Sequence, residues 1–261
     1  MTPQHPRHSR RLGPAVAALA LAAVLPTAFA QGTSDLAPLL DGAGTIDPRW
    51  RVVGFPKSQR EIPPTRFEPG EAAGVRGVKV VAERSYGTLS HAVAGQGQPN
   101  GELRWRWRLD EPLTGGNAVP DILTKAGDDA ALKVCAMFDH PLDRVPFIER
   151  QVLRLARSVS GEALPAATVC YVWDSIQPTA TTADNPYSRR VRFIVLQGKG
   201  APLSRWLEER RNPAEDFKRL FADELPAGSP VPALTQIVVG ADADNTGSRS
   251  TGWVADVRLA R

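Results

Sequence analysis

The chain has 261 residues, 42 % of them hydrophobic, enough for one large β-rich domain or two small ones with a proper core. Its formal charge of +4 comes largely from Arg7, Arg10 and Arg11. Without the first 30 residues, 29 basic side chains face 28 acidic ones, which removes the electrostatic case for a nucleic-acid partner.

In chain order, three arginines lead an apolar run from Leu12 to Leu25, and Ala28-Phe29-Ala30 follows with small residues one apart. This is the pattern of a secretory signal cut after Ala30. The run is shorter than the ~20 apolar residues of a membrane-spanning helix. Without a Cys at the cut there is no lipoprotein anchor, so the expected location is periplasmic or secreted. Residues 31–47, rich in Gly, Pro, Asp and Ala, are expected as a flexible lead-in, and residues 48–261 as the folded domain.

Strands are expected at 50–55, 75–84, 102–109, 130–138, 168–174, 190–197, 235–242 and 251–259. The clearest alternation sets Leu103, Trp105, Trp107 and Leu109 against Glu102, Arg104, Arg106 and Arg108. Trp253, Ala255, Val257 and Leu259 are expected on one face of the last strand. Helices are expected at 144–157, with Phe147, Ile148 and Leu155 at helical spacing, and from Pro213. The second helix has Asn212 as cap, Glu215 closing a capping box, and Phe217, Leu220 and Phe221 along one face. With 23 Pro and 22 Gly separating short elements, the fold class is all-β dominated. It reads as a β-sandwich of jelly-roll, carbohydrate-binding-module-like form with two short helices on connections.

Cys135 and Cys170 sit in two of the expected strands, and an even count in an oxidising compartment points to a disulfide, the other reading being two buried free thiols. The mature chain keeps two histidines, His91 and His140, in separate segments. It has no G-x-S-x-G, H-E-x-x-H, Walker or C-x-x-C motif.

Arg104, Arg106 and Arg108 form a stripe of guanidinium forks that suits an anionic ligand, or else a solvated face with ion pairs. Asp128 and Asp129, just before a strand, are an acidic pair for a ligand or for acid–base work, or the end of a loop. Trp173, Tyr187 and Trp206 lie near loops and are candidates for stacking on a sugar ring. Asp242, Asp244 and Thr246 match the first half of a calcium loop, although Trp253 stands where the closing Glu belongs. The other reading is a tight turn. Calcium is the one cofactor these residues suggest.

These pieces, in order, resemble domain of unknown function 3047, a family of exported bacterial proteins. The resemblance rests on Leu103-Arg104-Trp105-Arg106-Trp107, Gly127-Asp128-Asp129, Tyr171-Val172-Trp173, Asn185 and Tyr187. It continues through Trp206, Asp216-Phe217 and Asp242-x-Asp244-Asn245-Thr246-Gly247, and so spans about residues 48–258. It departs at Leu132-Lys133, where the family pattern has an Arg. It implies the fold and adds Asn185 to the ligand candidates, but it implies no reaction. The resulting expectation is an exported domain that binds a glycan or an anionic envelope polymer without catalysis. The alternatives are a polysaccharide-acting enzyme using paired carboxylates and a purely structural envelope protein.

Overall fold

A computed structural model describes residues 36–54, 62–97, 101–160 and 164–260, so the expected signal segment lies outside the described residues. In chain order the strands are β1 (Arg51–Gly54), β2 (Arg66–Ala72), β3 (Val75–Glu83), β4 (Tyr86–Gly97), β5 (Glu102–Thr114), β6 (Leu132–Phe138), β7 (Ala167–Trp173), β8 (Thr182–Asp184), β9 (Val191–Gln197), β10 (Leu207–Arg211), β11 (Leu234–Asp242) and β12 (Arg249–Ala260). The helices are α1 (Phe147–Ser160) and α2 (Pro213–Leu220). Seven strands form one sheet in the order β1-β4-β11-β6-β7-β9-β8, and five form the other in the order β10-β5-β12-β3-β2. Pairings are antiparallel except β7 with β9.

The layers are held together by the alternation the sequence displays. Leu103, Trp105, Trp107 and Leu109 of β5 are buried and meet Leu132, Val134, Ala136 and Phe138 of β6 in one core. Trp107 packs edge-on against both Trp105 and Trp173, and Trp105 lies against Tyr171. Aromatic pairs in such tilted and edge arrangements add roughly 0.5–1.5 kcal/mol each beyond the area they bury. All seven residues of β7 are buried, as suits its place inside the seven-stranded sheet between β6 and β9.

In four places the structure departs from the sequence expectation. First, the segment expected as a flexible lead-in is docked from residue 36 on. Leu36, Ala37 and Leu39 join the core, and Trp50 Nε1 donates to the Ala37 carbonyl at 3.1 Å. Second, in β12 Val254, not Trp253, points inward opposite Trp107. Asp256 adopts φ +53° at an irregularity in the pairing, which restores Val257 and Leu259 to the core face. Third, α1 forms, but three residues further along than the expected 144–157, and Phe147, Ile148 and Leu155 are 66 %, 76 % and 65 % exposed while Leu153 is the residue it buries. Fourth, Asn212 caps α2 by accepting from the Ala214 and Glu215 N–H groups, whereas the Glu215 side chain takes Lys218. Phe217 of that helix and Phe221 just after it pack together, Phe217 onto Phe138 and both onto His140.

Candidate functional site

The outward residues of the seven-stranded sheet form the floor of a groove of about 1550 Å³. Because side chains alternate, the strands that send Val134 and Val239 into the core send Lys133, Cys135, Met137 and Val238 to this face. Cys135 and Cys170, directly opposite each other in β6 and β7, are joined by a disulfide at the centre of the floor. One wall is built from the loop before β6 and the loop between β8 and β9. There Tyr187 Oη donates to the Lys125 carbonyl at 2.9 Å and lies 3.1 Å from Asn245 Oδ1. At one end, α1 is held by ion pairs from Glu149 to Arg189 and Arg190.

Four carboxylates from two separate segments, Asp128, Asp129, Asp242 and Asp244, line the other end of this groove. Lys133 is the cation that faces them. Its ammonium lies 2.6 Å from Asp242 Oδ2 and stands over the Tyr86 ring at 5.1 Å from the centroid. Asp242 also accepts the Ala130 N–H at 2.8 Å. Burial lowers the ammonium's affinity for its proton, but the charges of Asp242 and Tyr86 and the hydrogen bond to Asp242 outweigh it and raise the Lys133 pKa.

Asp128 and Asp129, adjacent in sequence, do different things. Asp129 is 1 % exposed and clamps the turn after β11. It accepts the Asn245 N–H at 3.2 Å, the Thr246 N–H at 2.7 Å and the Thr246 hydroxyl at 2.5 Å. Asp128 instead faces the wall and accepts the Asn185 side-chain amide at 2.6 Å. Burial, then the negative charge of Asp242, pushes its pKa up to about 7. Asp244 is pushed up to about 6 by burial and by the charges of Asp242 and Asp129, and Asp129 is raised by burial first.

A family model described as "Protein of unknown function (DUF3047)" matches residues 48–258. The chain belongs to the DUF3047 family. No curated protein sequence matches the chain significantly. Among solved structures, one similar to this DUF3047 chain is a meso-active, thermo-stable cellulase derived from the Cel12A cellulase of Rhodothermus marinus. The likeness covers 81 % of this chain and 96 % of that one, at 10 % identity and a TM-score of 0.39.

In this DUF3047 domain only part of the expected site comes together. Asp128, Asp129, Asn185, Tyr187, Asp242 and Asp244 share the groove region. Arg104, Arg106 and Arg108 lie on the outward face of β5 in the other sheet, away from the groove, and pair with Glu102, Asp256 and Asp110. Trp173, expected as a stacking platform, is 1 % exposed in the core. Trp206 is on the five-stranded side, donating to the Ala72 carbonyl at 2.8 Å beneath Arg106. The calcium reading does not fit the geometry. Lys133 and the Ala130 N–H take Asp242, and Thr246 serves Asp129. Among the described residues no three His, Cys, Asp or Glu side chains are grouped to hold a metal ion. Sequence reasoning missed Lys133, Tyr86 and Asn245 as members of the site. For Lys133 the signal was there: a single charge inside the apolar run 130–138.

Proposed function

We propose that this DUF3047 domain is a non-catalytic binding protein of the cell exterior. Its outer groove holds the donor-rich part of a ligand, such as the hydroxyls of an envelope glycan, against Asp128 and Asp244. The observation that carries this reading is the convergence of four carboxylates on one groove with Lys133 as the facing cation. Carboxylates are acceptor-only when ionised and serve hydroxyl or ammonium donors, so the groove favours a neutral or cationic ligand over an anionic polymer once pH rises above about 7, where Asp128 has lost its proton. Export through the segment 1–30 fits the disulfide, which forms and persists in oxidising compartments. Calorimetric titration with a panel of envelope glycans, repeated with Asp128→Asn and Asp244→Asn, is the test. Binding that both variants weaken at least tenfold supports the reading, and tight binding indifferent to both removes it.

One observation favours a second reading, carboxylate catalysis on a glycosidic bond. Asp128, with a pKa of about 7, stands near Asp242, whose charge is matched by Lys133. A protonated acid beside an ionised partner is the pairing such hydrolysis uses. Release of reducing ends that disappears in Asp128→Asn would establish it, and a complete absence of turnover on substrates that bind would exclude it.

A further inference from the structure

The carboxylates occupy one end of the groove and leave most of its floor unexplained. Val238, the Cys135–Cys170 bridge, Met137 and Phe193 make that floor apolar. From Lys133 to Met137 it runs four residues of strand, about 13 Å. Around the mouth, side chains that a soluble surface ordinarily hides stand open. Ile148 and Val152 of α1 are 76 % and 62 % exposed, and Val52 and Val53 of β1 are 55 % and 46 % exposed. Half of the ten large hydrophobic residues exposed among the described residues border this one groove, the fifth being Tyr187. Apolar side chains on both sides of one groove, with a charged end, mark a binding surface rather than scattered surface residues. At the far end the Thr168 hydroxyl borders the groove, buried and without a hydrogen-bond partner.

We infer that the ligand is an amphiphile. A single apolar chain lies along the disulfide floor beneath the open face of α1, and a non-anionic, donor-bearing head sits at Asp128 and Asp244. The inference rests on the proposed reading of the carboxylate end and adds the apolar half of the ligand. Charge complementarity decides the head. Once ionised, which for Asp128 requires a pH above about 7, the two carboxylates attract an ammonium and accept from hydroxyls but repel a carboxylate or a phosphate. Burial of the chain supplies affinity in proportion to the apolar area removed from water, and α1, attached through Leu153 and the Glu149–Arg190 pair, borders it.

The test titrates the purified chain by calorimetry with dodecyl maltoside, dodecylammonium, dodecanoate and maltose, each below its micelle concentration. The maltoside and the ammonium distinguish a sugar head from an amine head. Binding of either dodecyl ligand at least tenfold more tightly than dodecanoate and than maltose is expected. Val152→Asp, on an exposed position that leaves the core intact, weakens that binding at least tenfold, and Ile148→Asp does the same. Asp128→Asn weakens the dodecyl ligand without abolishing it. Dodecanoate binding as tightly as the other two overturns the inference, as does dodecyl binding unaffected by Val152→Asp and Ile148→Asp. Maltose binding as tightly as dodecyl maltoside, and sensitive to Asp128→Asn, removes the apolar chain and leaves the head reading standing. Absence of all binding removes both. A dimer by sedimentation velocity that Val152→Asp dissociates, with no amphiphile bound, assigns the rim to a second copy and overturns the inference.

Discussion

Asn185 donates its side-chain amide to Asp128 Oδ2 at 2.6 Å, tying two loops 57 residues apart into one groove wall. That bond favours the ionised carboxylate, yet burial and the charge of Asp242 outweigh it and leave Asp128 at about 7. A carboxylate whose pKa is higher folded than unfolded stabilises the fold fully below its unfolded value and loses that contribution as pH rises through the folded value. For Asp128, and for Asp244 at about 6, the loss falls between about pH 4 and pH 7. Asp47 and Glu224 have the opposite sign. The Arg49 hydrogen bond holds Asp47 at about 2. For Glu224, burial opposes ionisation, but Arg190, His140 and Arg192 outweigh it and also bring it to about 2, so both contributions are lost only as pH falls toward that value. Thermal stability is therefore expected to peak in mildly acid solution and to decline toward neutrality. Melting curves from pH 3 to 8 check this, and Asp128→Asn should flatten the decline above pH 4. A variant profile parallel to that of the wild type would contradict the assignment.

The pair of Lys133 and Asp242 is nearly buried, with side chains 11 % and 12 % exposed. Removing one partner of such a pair leaves the other charged and without its match, which costs roughly 3–5 kcal/mol. Lys133→Met is expected to destabilise by that amount in urea unfolding, with the loss largest above neutral pH where the carboxylates are ionised. Adding Asp242→Asn should restore part of it. A loss below about 1 kcal/mol would mean that water screens the pair.

The layered core was legible in the sequence because period-two alternation is a direct consequence of the pleat, and β5 carries it without a fault from Leu103 to Leu109. The edge strands β2, β8 and β10 were not, although the edge strand β1 was. β2 contains Pro69 and Gly70, and β10 is Leu-Glu-Glu-Arg-Arg, so neither has a buried face to alternate. In β4 small residues replace large ones, and Gly87 lies so close to the neighbouring segment that a Cβ there would stand 3.0 Å from the Thr65 backbone nitrogen, so close approach and not hydrophobicity sets the residue. The stacking role given to Trp173 failed because proximity to a loop does not fix which way a side chain points, whereas its odd–even partnership with Tyr171 does. The acidic residues were found by type. Their convergence was not readable, because it depends on Asp242 pairing back to the Ala130 segment, 112 residues earlier.

The disulfide closes a loop of 35 residues between neighbouring strands. Constraining the unfolded chain over that length contributes about 3–4 kcal/mol in the chain-entropy model. Reduction under native conditions should lower the urea midpoint accordingly. Since both cysteines lie on the groove floor and not in the main core, the sheet pairing should survive. The far-ultraviolet circular dichroism of the reduced protein should therefore keep its β signal. Loss of that signal on reduction would show that the floor, and not the tryptophan core, holds the layers together.

Asp128 and Asp129 offer the sharpest contrast. Asp129 satisfies three donors of the 245–246 turn while almost fully buried, and Asp128 satisfies one side-chain amide at a half-buried wall. A buried donor stripped of its acceptor costs about 1–3 kcal/mol. Asp129→Ala is thus expected to destabilise by at least about 3 kcal/mol, with the Thr246 hydroxyl falling back on Ser248, 2.5 Å away. Relief of the raised pKa offsets part of this, and the offset grows with pH as Asp129 would otherwise ionise. Asp128→Ala should cost under about 1 kcal/mol, or even stabilise at pH 7 by removing a charge held against burial. Chemical denaturation of the two variants at pH 5 and pH 7 separates the roles. Equal losses in both would mean that the neighbours share one structural duty, and would take Asp128 out of the groove chemistry.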